Sequence, residues 1–304
     1  MSRHSSEGLR SEPLRAALAS ALAGKPAALE DLLSRHGDGH GARPNFRLAA
    51  AFGAEIGALP GTASRLLDRL GANDAAPDTA EVFLPIAAAH GWVGRLRADR
   101  EVDAAWPALA VFAGDERAPV RLGTLDALAS LVAHPGAGDA LLAQAIDWLE
   151  LDDREVRFGA AGVVVEVFAG RQALAALAEP ETLLDYLSRA IAAVAGAPRA
   201  AERSDARRRL LLALPRTLAT VAAGLRAGDR GAAWLEEECR SARHPDMRGA
   251  LSKAVLILAD KSSGQGAALA QGLRAALEGS AKPPRDPTRI RPGAARGRSS
   301  RPVR

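Results

Sequence analysis

Cysteine, lysine and aromatic residues are all scarce in this chain of 304 residues, and each scarcity excludes something. Cys239 is the only cysteine, so there is no intrachain disulfide and no multi-thiolate metal site. Aromatic residues make up 4% of the chain and β-branched residues gather in only a few places, while Ala and Leu dominate. That composition favours helix over strand almost everywhere. No stretch approaches the roughly 18 strongly apolar residues of a membrane-crossing helix. The first fifteen residues carry Glu7, Glu12 and Pro13, a poor secretion signal, so a cytoplasmic location is expected. Only four of the 40 basic residues are lysine. With so much Ala and Gly, that ratio is what a GC-rich genome produces. There is no phosphate-binding glycine loop, no nucleophile elbow and no zinc pattern, so no cofactor or metal is expected.

The sequence pI of about 9.8 points towards nucleic acid, but the charge is unevenly placed. Residues 280–304 hold eight basic side chains, among them Arg289, Arg291, Arg296 and Arg298, against Asp286 alone, a net of +7. The whole chain is +4, so the remainder carries −3. The tail also has five prolines and almost nothing apolar, so it is expected to be disordered and to supply any non-specific nucleic-acid contact.

What is present is a phrase stated twice. Asp115-Glu116-Arg117-Ala118-Pro119-Val120-Arg121 leads into one apolar helix, and Asp152-Asp153-Arg154-Glu155-Val156-Arg157 into another. Val120 and Val156 are 36 residues apart, and each phrase follows a Trp-bearing apolar helix (Trp106, Trp148). His244-Pro245-Asp246-Met247-Arg248 restates it 91 residues beyond Val156, with Met for Val. A fixed period of this size marks stacked helical pairs.

Helices are expected near 102–113 and 120–133, 139–150 and 154–169, 180–195 and 205–224, and 229–242 and 246–260, with a terminal helix over 267–277. Asp115 and Asp152 stand where a cap or turn residue is needed. Earlier, residues 12–34 read as one or two short helices, residues 36–41 as a glycine-rich break, and Pro44-Asn45-Phe46 as a restart. A further helix runs from Asp78 to about Leu96, with a kink expected at Pro85. Three units follow: a helical cap and linker over 1–43, a stacked helical body over 44–279, and the basic tail over 280–304. Val120, Leu125, Leu128, Val156, Ala160, Val163 and Val164 are expected in the core, with Trp106 and Trp148 in equivalent places.

The phrase resembles the HEAT family of armadillo-like repeats at Asp115/Val120/Arg121/Ala127/Leu128 and Asp152/Val156/Arg157/Ala160/Val163. It is fair at Asp246/Met247/Arg248/Ala254 and weak at Asp205/Arg209/Leu210. The chain also looks similar to uncharacterised HEAT-like proteins of high-GC bacteria. The resemblance covers residues 100–260 best. It implies an all-α, right-handed solenoid of roughly six helical hairpins with small residues where helices cross.

Arg121, Arg157 and Arg248 recur once per repeat. They are either a cationic ladder along a groove or, the favoured reading, ties to Asp115, Asp152, Asp153 or Asp246 that set repeat spacing. Arg207-Arg208-Arg209 is the densest charge run outside the tail and a candidate contact for an anionic partner. Trp148 and Asp152 are spaced like the Trp and Asp of HEAT-like glycosylases that excise alkylated purines, but both already have repeat roles. His36, Asp38 and His40 have a metal-like spacing among glycines that oppose a helix. His90, His134 and His244 are expected at helix ends. Three glutamates before Cys239 are expected to raise its pKa. The favoured function is a non-catalytic scaffold binding an unknown protein partner through the solenoid groove. The alternative is a nucleic-acid-binding HEAT protein, including a glycosylase-like enzyme.

Overall fold

The computed structural model describes residues 5–37, 44–225, 230–261 and 265–280. Among them are fifteen α-helices, two short 3-10 turns and no strand. The helices are α1 (Ser5–Leu22), α2 (Ala27–His36), α3 (Phe46–Ala58), α4 (Ser64–Gly71), α5 (Phe83–Arg97), α6 (Val102–Gly114), α7 (Ala118–Val132) and α8 (Ala137–Trp148). They continue with α9 (Arg154–Val167), α10 (Arg171–Ala175), α11 (Pro180–Ala195), α12 (Asp205–Gly224), α13 (Arg230–Ser241), α14 (Pro245–Lys261) and α15 (Gln265–Gly279). Among the described residues no helix is long and apolar enough to cross a membrane.

Local chemistry sets several starts. Asn45 Oδ1 accepts from Leu48 N at 3.2 Å at the head of α3, and Ser204 Oγ from Arg207 N at 3.1 Å at the head of α12. Asp153 Oδ1 accepts from Glu155 N at 2.9 Å and Val156 N at 3.1 Å at the head of α9. Each satisfies an amide with no intrahelical partner. The cap of α9 is therefore Asp153 and not Asp152, which is exposed one residue too early to reach those amides. Asp115 does not cap α7 either; it folds back on Arg117 N at 2.7 Å, before the helix begins. Pro85 kinks nothing. The segment divides into a 3-10 turn (Ala80–Val82) and α5, and Pro85 falls in the first turn of α5, where an N–H would lack a partner anyway.

Six helices form one continuous row. α3 packs on α5, α5 on α7, α7 on α9, α9 on α12, and α12 on α14. Behind it, α8 lies against α11, α11 against α13, and α13 against α15. A single apolar cluster runs from Leu14 to Leu277. Val120, Leu128, Ala160, Val163 and Val164 are buried in it, as are Trp106 and Trp148, whose rings meet edge-on at 6.3 Å. Leu125 and Val156 are only partly buried. Leu125 packs against the edge of the cluster, and Val156, in the first turn of α9, lies against Gly114.

Glycines let the helices approach this closely. A Cβ on Gly57 would lie 2.6 Å from Gly94 O, and one on Gly94 would overlap the Gly53 carbonyl, which fixes the α3–α5 crossing. At the α6–α9 crossing a Cβ on Gly159 would lie 2.7 Å from Gly114 Cα. These backbones touch where any side chain would hold them apart.

Candidate functional site

The row presents a charged face over α7, α9 and α12. On α12, Arg209, Leu212 and Arg216 are spaced three and four residues apart, which puts them on one stripe. Leu212 lies between the two arginines and is 71% exposed, the most exposed large apolar side chain among the described residues. Glu166 on α9 faces Arg121 of α7 on one side and Arg216 of α12 on the other. Its side chain is exposed, but partial desolvation by the neighbouring helices raises its carboxyl above the ordinary range, and the two arginines oppose that rise. Burial and then the Arg209 charge push the Arg121 guanidinium down, against Asp115 and Glu166. Arg209 Nε is buried without a hydrogen-bond partner. Two arginines, Arg121 and Arg216, thus flank one acid, with Arg209 beside Arg121 and an exposed leucine on the same stripe.

The run that the sequence singled out divides three ways. Arg207 is buried at 2% exposure; its Nη2 donates to Val194 O at 3.2 Å and to Asp246 Oδ2 at 2.9 Å. It ties the end of α11 to the start of α14 and is closed to any partner. Arg208 pairs with Asp205 three residues back, both exposed, a contact of little energetic weight. Only Arg209 turns to the charged face. Arg289, Arg291, Arg296 and Arg298 lie outside the described residues.

The recurring arginines are not tied to the carboxylates that the sequence suggested. Arg121 Nη1 donates to the carbonyls of Asp115 at 2.7 Å and Glu116 at 2.6 Å. Arg248 Nη1 reaches Ala242 O at 3.5 Å, again six residues back, and also Ser280 Oγ. The Asp115 carboxylate is taken by Arg117 at 2.7 and 2.9 Å, and the Asp246 carboxylate by Arg207. The cause is supply: a helix end leaves carbonyls without partners, and a guanidinium carries five donors. Arg157, at the equivalent place, has its Nε buried with no hydrogen-bond partner. Ser280, counted with the tail, is buried against this junction.

A buried clip went unnoticed in the sequence. Arg95, 2% exposed, donates to Ile56 O at 3.2 Å, Leu59 O at 2.8 Å and Gly61 O at 2.6 Å, closing the end of α3. Its Nε lies 2.7 Å from Glu101 Oε2, though its N–H is not aligned for a hydrogen bond. Glu101 accepts from Thr62 Oγ1, Ala63 N at 3.1 Å and Ser64 N at 3.0 Å, closing the start of α4. Burial pushes this carboxyl up, but the hydrogen bonds from Thr62, Ala63 and Ser64 and the Arg95 charge together outweigh it and hold it down at about 2. Glu101 holds this place with a left-handed backbone, φ 48°. The one available signal was an arginine inside the apolar run of α5.

The remaining candidates sit apart from the charged face. Trp148 is buried against Trp106 while Asp152 is exposed. His90 is not at a helix end. It is buried inside α5, stacked 6.4 Å from Phe46, and burial and then Arg97 lower its pKa to about 4. His244 Nδ1 accepts from Asp246 N at 3.2 Å and caps no carbonyl. Cys239 is buried and its thiol is raised to about 11, first by burial and then by Glu238 and Glu236. Asp38 and His40 lie outside the described residues, among which no cluster suits a metal ion. No protein-family model and no curated protein matches the chain.

Proposed function

We propose that this chain is a non-catalytic interaction module, built as a right-handed solenoid of HEAT-like hairpins, that holds a protein partner in the groove of its second helices. The observation that carries this reading is the stripe Arg209–Leu212–Arg216 with Glu166 and Arg121 beside it. An exposed leucine flanked by cations suits an extended segment carrying both acidic and apolar side chains. Buried Trp148 has no face free to stack on a base, which counts against the glycosylase reading. The uneven charge supports a second reading, in which the tail, at net +7, carries nucleic acid while the body holds a protein. The test is capture of partners from the native host by the whole protein, with and without nuclease, beside Leu212→Asp/Arg216→Glu. Proteins retained after nuclease and lost in the variant support the groove reading. Capture that ends with nuclease overturns it in favour of nucleic acid.

A further inference from the structure

On α9, Arg157 and Glu166 are nine residues apart, half a turn out of phase, so Arg157 looks away from the charged face. It lines a cleft of about 560 Å3 between the start of α9 and the ends of α8 and α11. That size falls within the roughly 300–1,000 Å3 of small-molecule sites.

Comparison of the repeats shows why Arg157 is different. Arg121 and Arg248 each give Nη1 to a carbonyl six residues back, in the loop that ends the preceding helix. Arg157 makes no such bond among the described residues. Its guanidinium carbon lies 5.9 Å from the centroid of the Phe158 ring, and its Nε is buried and unpartnered. Neither of the other two repeats has an aromatic residue after this arginine; Leu122 and Gly249 follow there. The terminal nitrogens of its guanidinium, which are not buried, have no hydrogen-bond partner among the described residues, so they are free to meet a ligand oxygen from the cleft.

The charge of the walls agrees. Arg154, Arg157 and Arg189 line the cleft against Glu150 alone. Arg189 is paired with Asp185 at 2.9 Å, but both are more than half exposed and the pair is weak. Asp153, nearby, is spent on the cap of α9. The exposed side chains of Ala192 and Pro198 supply a small apolar lining.

We infer that this cleft is a binding site for a small organic oxyanion, a phosphate or carboxylate carried on an apolar or aromatic body, with Arg157 as its principal donor. The oxyanion takes the free guanidinium edge of Arg157, with Arg154 and Arg189 at the rim, and the body lies along Ala192 and Pro198. The site is separate from the groove and does not depend on a protein partner there.

The experiment is calorimetric titration of the whole protein with phenyl phosphate, benzoate and inorganic phosphate. Phenyl phosphate is expected to bind one to one and at least tenfold more tightly than inorganic phosphate, which has no body to fill the cleft. Benzoate is expected to compete with it. Arg157→Gln should weaken phenyl phosphate at least tenfold, and Arg208→Gln, on an exposed rim elsewhere, should leave it unchanged. Ala192→Trp, at an exposed position, should block binding while keeping every arginine, so the test does not hang on one variant. Absence of saturable binding at millimolar phenyl phosphate would overturn the inference. So would equal affinity in Arg157→Gln or Ala192→Trp, or an inorganic phosphate as tight as phenyl phosphate, which would mean attraction to surface arginines only.

Discussion

Replacing Glu101 by Gln keeps the shape of the clip and removes its charge. The carboxylate receives Thr62 Oγ1 and the amides of Ala63 and Ser64, and it neutralises Arg95, which is 2% exposed. A hydrogen bond to a charged group contributes about 1.5–3 kcal/mol, and breaking a buried ion pair costs about 3–5 kcal/mol. The neutral amide can still accept from one or two of these donors, so the expected loss is about 3 kcal/mol at neutral pH. Urea unfolding followed by tryptophan fluorescence measures it, since Trp92 and Trp106 lie on the helices flanking the clip. The pH dependence follows from the lowered carboxyl, at about 2 in the folded chain against an ordinary 4.5. Below 4.5 the unfolded chain takes up the proton and the folded chain resists it, so stability is lost as pH falls. The advantage over Glu101→Gln should be complete above pH 5 and shrink by about 1.4 kcal/mol per unit between 4.5 and 2. A difference under about 1 kcal/mol at pH 7, or one that does not change with acid, would refute the clip.

Three further outcomes are expected. Gly159→Ala should lower the melting temperature by several degrees because its Cβ would lie 2.7 Å from the Gly114 backbone, whereas Gly249→Ala, with open space, should raise it slightly. Cys239 in the folded protein should react with a thiol reagent at pH 8 at least tenfold more slowly than in denaturant, as its thiol is buried and raised to about 11. A chain ended after Ser280 should keep its melting temperature and lose steeply salt-dependent binding to DNA or RNA; unchanged affinity and salt slope would move the anion site onto the body.

Helix positions were legible because they depend on apolar periodicity, proline and caps. The ranges read for 180–195 and 205–224 coincide with α11 and α12. What stayed hidden depends on atoms that have no pattern along the chain. Whether Arg121 bonds the Asp115 carboxylate or its carbonyl is decided by competition from Arg117, two residues from that aspartate. The burial of Arg207 and exposure of Arg208 follow from helix phase, which a run of three like residues conceals. Glu101 belongs to the clip only because its backbone turns left-handed, an uncommon choice for a glutamate. The face of Arg121, Glu166, Arg209 and Arg216 draws on three helices whose side-by-side order the repeat implied but whose phases it did not.

The most direct test of the groove is photocrosslinking from single positions in the host cell. A benzophenone side chain at position 212, on the charged face, should give discrete protein adducts that survive nuclease. The same group at position 111, also solvent-facing at 56% exposure on α6, should give none. Adducts from 111 and not from 212, or adducts from 212 that vanish with nuclease, would contradict a protein partner held against α7, α9 and α12.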